Sequence, residues 1–272
     1  MLNISIVLYD PDWKQVEFLC RELSRARCVH TIYMVDNSKQ GIDKLPFNLP
    51  TVHYQWNNGK NLGYGAAHNL AIRESIYELI PYHLVINPDV KIKAEDLEYL
   101  HEVMEQFPRI GSLMPKVVYP NGELQYLCKL LPTPWDVFGR RFLPSWMMRR
   151  RNERYELRQS GYDKPMNVPY LSGCFMLLRT QAVLKARLFD ERYFMYPEDI
   201  DLTRTIHRDY YTMYIPDVTI IHDHQKASYH SWRMTWIHIV NMCRYFNKWG
   251  WFFDAERRQI NRETLNQVSG ER

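Results

Sequence analysis

The chain has 272 residues, of which 46% are apolar and 14% aromatic, so it can bury a core and does not have the composition of a disordered protein. Its 35 Lys and Arg against 31 Asp and Glu give a formal charge of only +4, which argues against a nucleic-acid-binding protein. No segment reaches the roughly 18 apolar residues of a membrane-spanning helix, and residues 1–7 do not resemble a signal peptide. Five cysteines without disulfide or zinc spacing indicate a reducing, cytoplasmic compartment.

The first half of the chain alternates strand and helix patterns. Runs rich in β-branched residues predict strands at Ile4–Tyr9, Thr31–Val35, Thr51–Gln55 and His83–Ile86. Helical spacing of apolar residues predicts a first helix capped by Asp10, with Pro11 in its first turn, and further helices at Gly65–Ile80 and Ala94–Phe107. This alternation predicts an α/β fold with a parallel or mostly parallel sheet.

The second half is less regular. Asn121-Gly122 predicts a hairpin turn, and the arginine-rich residues 140–158 are expected to form a mobile excursion. Strand character returns over 168–179 and 218–221, with a helix predicted over 200–208. We therefore expect one catalytic-type domain over residues 1–224 and a C-terminal amphipathic helical extension over 225–272.

Polar residues lie at the ends of four predicted strands. They are Tyr9-Asp10, Asp36-Asn37-Ser38, Asn87-Pro88-Asp89 and His222. Each segment alone could be a helix cap or a turn, and a single strand-end histidine is as often structural as functional. Because ligands of open α/β sheets bind at the carboxyl ends of the strands, the four together indicate a binding site.

Two further segments could carry chemistry. Residues 57–69 form a Gly- and Asn-rich loop leading into a helix, whose N-terminal amides favour an anion such as phosphate, although an ordinary strand-to-helix loop is an equal alternative. Glu198 and Asp199 follow an aromatic stretch and could simply complement a helix dipole. Alternatively, a carboxylate partly desolvated by Phe194 and Tyr196 could act as a general base.

Seven short motifs occur in an order that resembles glycosyltransferase family 2, whose members have the GT-A fold. They are SIVLYD at 5–10, VDNS at 35–38, NLGYGAAHN at 61–69, INPDV at 86–90, GCFMLLR at 173–179, FDERYFMYPEDIDL at 189–202 and IIH at 220–222. The resemblance spans residues 4–224. It is greatest to the rhamnosyltransferase-like enzymes that build bacterial surface polysaccharide.

The resemblance implies a nucleotide-sugar donor site and a divalent metal. Asp36 would recognise the donor's base, and the other donor-site residues would be Tyr9, Asp10, Asn61, Gly63, Asn69 and Asn87. Asp89 matches the last carboxylate of the family's DxD element, and His222 would complete the metal sphere or contact the donor diphosphate. Because Asn87 replaces the first carboxylate of that element, the expected site is a weaker one that suits Mg²⁺ or Mn²⁺.

The resemblance also implies a metal-dependent, inverting sugar transfer. Asp199 matches the family's catalytic base and would take the proton of an acceptor hydroxyl, with Glu198 beside it and Asp201 as the alternative base. The first expected donor is dTDP-rhamnose, followed by UDP-hexoses. The expected acceptor is a lipid-linked saccharide, an intermediate of polysaccharide or O-antigen biosynthesis.

The remaining residues are aromatic and basic, with no Asp or Glu over 225–253. Trp232, Trp236, Ile239 and Cys243 predict an amphipathic helix that either packs on the core or lies in a membrane interface. Residues 138–151 place an apolar tip between arginines, which could enter a bilayer, form an acceptor-site loop or make an oligomer contact. The resemblance favours peripheral attachment to the inner face of the cytoplasmic membrane.

Two other functions are compatible with a nucleotide-binding α/β fold. A sugar nucleotidyltransferase would carry a glycine-rich basic loop near the first strand, but residues 5–12 contain no Gly, Lys or Arg. A non-catalytic saccharide- or nucleotide-binding module would not need the carboxylate pair Glu198-Asp199.

Overall fold

The computed structural model describes residues 1–140, 143–223 and 232–270. The strands in these ranges are β1 (Leu2–Leu8), β2 (Val29–Asp36), β3 (Val52–Trp56), β4 (Tyr82–Ile86), β5 (Val90–Lys91), β6 (Ile110–Val118), β7 (Cys128–Lys129), β8 (Met166–Asn167), β9 (Tyr170–Leu171), β10 (Phe175–Arg179) and β11 (Tyr211–His222). The α-helices are α1 (Trp13–Arg25), α2 (Tyr64–Tyr77), α3 (Ala94–Gln106), α4 (Ser145–Tyr155), α5 (Thr180–Lys185), α6 (Glu198–His207), α7 (Trp232–Trp249) and α8 (Ala255–Ser269).

The central sheet has the strand order β3-β2-β1-β4-β10-β6-β11-β5, with β8 paired to β11. Strands β3, β2, β1 and β4 are parallel, β10 runs antiparallel to both of its neighbours, and β11 is parallel to β6. The predicted α/β fold with a mostly parallel sheet is confirmed. This topology brings the carboxyl ends of β1, β2, β4 and β11 to the edge at which β10 begins.

Helices cover both faces of the sheet. On β4, Leu84 and Ile86 pack in the cluster that contains the buried residues of α1 and α3, whereas Val85 packs with Ile72 of α2 and Leu202 of α6. Because both faces are covered, all five residues of β4 are buried, and the ring of His83 among them is hydrogen-bonded to Ser5 and Ser75.

The C-terminal helices pack against α6. Phe246 of α7 is buried in one cluster with Ile200 of α6. The buried guanidinium of Arg204 donates to both oxygens of Asp254, at 2.8 and 2.9 Å, and lies 4.1 Å from the ring centroid of Trp249. The expected C-terminal helices are present, and they are tied to the helix that begins with Glu198.

The first helix begins two residues later than expected. Asp12, not Asp10, is its N-cap, since the Asp12 side chain accepts a hydrogen bond from the Lys14 amide. Asp10 instead has φ +47° and donates its amide to Ser38. A tertiary contact therefore takes Asp10 out of the helix.

The segment expected to be a mobile excursion folds instead as a π-helical turn, Trp135–Gly139, followed by α4. Arg140 pairs with Glu156 at 2.6 Å, and Arg151 pairs with Asp136 at 2.6 Å. Ion pairs to two buried carboxylates hold this segment on the domain. The predicted turn at Asn121-Gly122 is present, with Val118 bridged to Leu124. Residues 141–142 and 224–231, with the predicted Arg141, Phe142, His224 and Lys226, lie outside the described residues.

Within the described ranges, no helix combines the length and the hydropathy required to span a lipid bilayer.

Candidate active site

The first wall of the site is formed by the turns after β1 and β2. The Asp10 amide donates to Ser38 Oγ at 2.8 Å and ties the two turns together. Asp36 is buried, with Oδ1 accepting from the Ser38 amide at 2.8 Å and Oδ2 from the Tyr54 hydroxyl at 2.7 Å. Asp36 therefore braces the turn after β2 from the interior, while Tyr9 and Asp10 are exposed at the surface.

Asparagines fix the loop that leads into α2. Asn37 accepts from the Asn57 side chain at 2.8 Å and donates to the Gly63 carbonyl at 3.1 Å, and Asn61 accepts from the Gly63 amide at 2.9 Å. Gly63 has φ +87°, and a Cβ there would collide with the carbonyl oxygen of Phe194. Glycine is required at this position by both the backbone conformation and the close approach of a second chain segment.

Asn69 is buried one turn further along α2. Its Nδ2 donates to the Phe189 carbonyl and to Glu191, both at 2.9 Å, and its Oδ1 accepts from the Phe189 amide at 3.0 Å. Both polar ends of the side chain are thus engaged inside the protein. Asn69 therefore anchors the loop before Glu198 to α2.

Tyr64, the first residue of α2, connects the strand ends. Its hydroxyl lies 2.9 Å from Asn87 Oδ1 and 2.7 Å from the Gly173 carbonyl oxygen. The Asn87 amide in turn donates to the Cys174 carbonyl at 3.0 Å. Asn87 therefore holds the end of β4 against the start of β10.

Two buried carboxylates begin α6. Asp199 Oδ2 accepts from the Gly173 amide at 2.9 Å and from the Tyr170 hydroxyl at 3.4 Å, and its Oδ1 accepts from the Ile200 amide at 2.8 Å. Burial raises the pKa of Asp199 above its usual range, against the opposing effect of these hydrogen bonds. Burial and the adjacent charge of Asp199 also raise the pKa of Glu198.

The backbone before this pair has an unusual conformation. Tyr196 has φ +98°, a region that a bulky residue seldom adopts, and Pro197 follows it as the N-cap of α6. Carboxylates in the first turn are favoured by the helix dipole. The strained turn thus directs Glu198 and Asp199 into the edge of the sheet where the other polar segments meet.

Asp89 and His222 face each other at the ends of β4 and β11, with 3.3 Å between Oδ1 and Nε2. Gln125 Nε2 donates to the His222 carbonyl at 2.7 Å, so its Oε1 must face His222 Nδ1, which lies 3.0 Å away. Nδ1 must therefore carry a proton, and Nε2 is directed at the carboxylate. Burial opposes protonation of the ring, but contacts with Asp89 and Cys174 outweigh it and raise the pKa of His222 to about 10.

This pair fits a divalent ion only if a ligand supplies further donors. A separation of 3.3 Å is compatible with both atoms lying about 2.1 Å from one ion. In the part of the chain that the structure describes, no three His, Cys, Asp or Glu side chains come together as a metal site. One carboxylate and one imidazole would thus hold Mg²⁺ or Mn²⁺ weakly until a diphosphate completes the sphere.

Relatives of known activity identify the family. N-acetylglucosaminyl-diphospho-decaprenol L-rhamnosyltransferase of Mycobacterium tuberculosis is 31% identical over 247 residues, which cover 82% of this chain and 76% of the relative. The chain belongs to the rhamnosyltransferase-type glycosyltransferases. Rhamnosyltransferase WbbL of Escherichia coli is 26% identical over 220 residues, covering 78% of this chain and 77% of the relative. No protein-family model matches the chain.

Solved structures show the GT-A fold of this glycosyltransferase. TarS 1–349 of S. aureus in complex with UDP gives a TM-score of 0.55 at 14% identity, covering 99% of this chain and 72% of that one. GalNAc-T7 with UDP, GalNAc and Mn²⁺ gives a TM-score of 0.59 at 12% identity. This match covers 82% of the present chain and 43% of the GalNAc-T7 chain. Membership of the family sets aside the nucleotidyltransferase and the non-catalytic binding module.

Asp201, the alternative candidate for the base, is already engaged in hydrogen bonds to the C-terminal helix. Its carboxylate accepts from Lys248 Nζ at 2.7 Å and from the Trp249 indole at 2.6 Å, both at the end of α7. Asp199 and Asp201 are two positions apart on a helix and therefore point to different sides. Asp201 fastens α6 to the C-terminal helix, while Asp199 faces the sheet edge.

Several residues of the glycosyltransferase site were not singled out by sequence reasoning. They are Tyr64, Gln125, Lys129 and Tyr170. Tyr64 lies inside the NLGYGAAHN motif, but the prediction of a donor site there depended on the glycines and asparagines of the motif. Gln125 and Lys129 belong to short segments without a local pattern, and Tyr170 lies in the strand predicted over 168–179. Only the tertiary fold brings Gln125 to His222 and Tyr170 to Asp199.

Proposed function

We propose that this glycosyltransferase moves a sugar, with inversion, from a nucleotide donor to a lipid-linked saccharide. The observation that carries the proposal is the buried pair Glu198-Asp199 at the same sheet edge as Asp89 and His222. At this edge the Tyr64 hydroxyl contacts both the end of β4 and the residue before β10. The acceptor class is supported by the diphospho-decaprenol substrate in the name of the M. tuberculosis relative. The setting is biosynthesis of a cell-envelope polysaccharide such as O-antigen.

Asp199 is the proposed base. Its carboxylate is held by the amides of Gly173 and Ile200, so its position is fixed before an acceptor arrives. It takes the proton of the acceptor hydroxyl while that oxygen forms a bond to the anomeric carbon and the bond to the nucleoside diphosphate breaks. A single displacement inverts the anomeric configuration. Burial raises the pKa of Asp199, and the charge of Asp199 adds to the effect of burial in raising the pKa of Glu198.

Asp89 and His222 are the proposed ligands of Mg²⁺ or Mn²⁺. When bound, the ion offsets the negative charge that develops on the leaving diphosphate. The Mn²⁺ in the GalNAc-T7 structure supports the use of a divalent ion by this fold. Gln125 orients His222 so that Nε2 is available to the ion, an indirect role typical of metal sites.

The donor pocket is proposed to lie between the rim at Tyr9 and Asp10 and the loop fixed by Asn61 and Gly63. Asp36 stabilises the turn after β2 and would contribute to recognition of the donor's nucleotide base through that turn. We propose dTDP-rhamnose as the donor, because the two relatives above are rhamnosyltransferases. UDP-hexoses are the second candidates, since a hexosyltransferase of Haloferax volcanii is 26% identical over 210 residues.

The test combines donor binding with transfer. A panel of nucleotide sugars with Mn²⁺ is screened for thermal stabilisation, because a ligand of the folded state raises its stability. The best donor is then used with Asp199→Asn, which should lose transfer by at least about 10²-fold while keeping its donor affinity. Asp217→Asn, a change at an exposed carboxylate of β11, is the matched control. Near-normal turnover of the Asp199 variant would show that another group is the base.

We also propose peripheral attachment to the inner face of the cytoplasmic membrane. Trp232 and Trp236 of α7 are 90% and 67% exposed, and Trp146 of α4 is 77% exposed. Exposed tryptophans beside cations are typical of the membrane interface. Met148, however, is 5% exposed and packs near Gly139, so it is not part of an apolar tip.

Co-sedimentation with anionic liposomes tests this attachment. We expect the wild-type protein to bind and Trp146→Ser combined with Met147→Ser to weaken binding, since both side chains are exposed. Exposed Tyr77→Ser on α2 is the control. Absence of wild-type binding would leave the aromatic residues as ordinary surface or acceptor-site residues.

A further inference from the structure

Lys129 presents a cation beside the carboxylate pair. It lies on β7, directly opposite Tyr170 of β9 in an antiparallel pair, so both side chains project from the same face. Its Nζ lies 5.2 Å from the centroid of the Tyr170 ring. Because the Tyr170 hydroxyl reaches Asp199 Oδ2 at 3.4 Å, Lys129 flanks the proposed base.

In the described ranges the ammonium of Lys129 forms no ion pair, and the negative charges of Glu156 and Asp199 act on it from beyond ion-pair distance. No carboxylate there pairs with it, and no hydrogen bond satisfies its Nζ. Glu156, the nearest alternative, is already shared by Arg140 and Arg158, each at 2.6 Å. Among the undescribed residues, 141–142 and 224–231 contain no Asp or Glu, and 271–272 contain Glu271.

Such a half-buried cation is costly unless a ligand compensates it. Burial and the positive charge of Arg140 lower the pKa of Lys129, while Glu156 and Asp199 oppose this. An uncompensated charge is retained in a protein interior mainly where function needs it. The surroundings favour an anion, since Arg140 adds a second positive charge that acts on Lys129, while Glu156 is engaged by Arg140 and Arg158.

We propose that Lys129 binds a phosphate group of the acceptor's lipid diphosphate and so positions the acceptor sugar against Asp199. The inference rests on the proposed function, because it takes a diphosphate-linked saccharide as the acceptor. A donor diphosphate has its own place at Asp89 and His222, at the ends of other strands. Lys129 instead stands beside the base, where the acceptor hydroxyl must lie.

The first experiment measures binding of inorganic diphosphate by calorimetry in the presence of EDTA. We expect Lys129→Met to weaken this binding by at least about tenfold and Lys129→Arg to retain it, as for loss of a charge-assisted hydrogen bond. Lys164→Met, a change at an exposed lysine, is the matched control. Asp89→Ala should leave the affinity unchanged if the anion does not sit in the donor pocket. Equal affinity of the wild type and Lys129→Met would overturn the proposal.

The second experiment compares two acceptors, N-acetylglucosamine on a lipid diphosphate and the same sugar on an uncharged alkyl chain. Lys129→Met should raise KM for the diphosphate acceptor about tenfold or more and change KM for the neutral acceptor little. An equal change for both acceptors with a shifted pH profile would overturn the proposal and assign Lys129 to tuning of Asp199. A raised donor KM would assign the cation to the donor.

Failure of the proposed function gives a different result. If the wild type transfers sugar to neither acceptor, the acceptor class is wrong, yet the diphosphate calorimetry still decides whether Lys129 binds phosphate. Thermal unfolding of each variant separates loss of fold from loss of binding, and Lys129→Arg keeps the charge if Lys129→Met is unstable.

Discussion

Replacement of Arg204 by Met should be among the most destabilising single changes in this chain. The side chain is 1% exposed and makes two hydrogen bonds to Asp254, which is itself 3–5% exposed. Removing the guanidinium leaves this buried carboxylate without its hydrogen-bonded cation, since the Arg257 guanidinium lies 4.0 Å away, at a cost of about 3–5 kcal/mol. For a chain of this length each kcal/mol lowers Tm by about 2 °C, so we expect a loss of about 6–10 °C.

Thermal unfolding followed by circular dichroism measures this loss. Arg21→Met removes an exposed pair with Glu17 on α1 and should lower Tm by no more than about 2 °C. Adding Asp254→Asn to Arg204→Met should recover part of the stability, because it removes the unpaired charge and keeps an N-cap side chain for α8. The reasoning is refuted if Arg204→Met is as stable as Arg21→Met.

Three further predictions concern the site. The raised pKa of Asp199 places the acid limb of kcat/KM above the usual carboxyl range, so activity should fall as pH drops toward about 5, and a limb near pH 4 would contradict this. Asp89→Ala should weaken donor binding in Mn²⁺ but not in EDTA by calorimetry, and full activity of the wild type in EDTA would refute a metal role. Gln125→Leu should weaken Mn²⁺ binding about tenfold in an EPR titration with donor present, whereas an unchanged titration would show that His222 needs no orientation.

The sequence was informative where function depends on strand ends and local motifs. Parallel strands place Asp36, Asn87 and Asp89 at one edge whatever the details of packing, so their proximity followed from the predicted alternation of strands and helices. The roles of Glu198 and Asp199 as a buried pair likewise followed from the aromatic residues before them. The chemical roles expected of these residues came from the resemblance to glycosyltransferase family 2.

Other features depended on long-range contacts that leave no local pattern. Asp10 and Asp12 are both good N-caps, and only the Asp10–Ser38 hydrogen bond decides between them. Asp201 could be separated from Asp199 only once the C-terminal helix was known to cover its side of α6. Arginines over 140–158 suggested mobility because their carboxylate partners, such as Asp136, were not evident from spacing.

The contact between Gly63 and Phe194 links the loop before α2 to the loop before α6. The Tyr64 amide donates to the Phe194 carbonyl at 3.0 Å, so the loop before α2 and the loop before α6 share a backbone hydrogen bond. A nucleotide that orders the first loop would thereby order the second and pay its entropy cost in advance of the acceptor. We therefore expect donor-first, sequential kinetics.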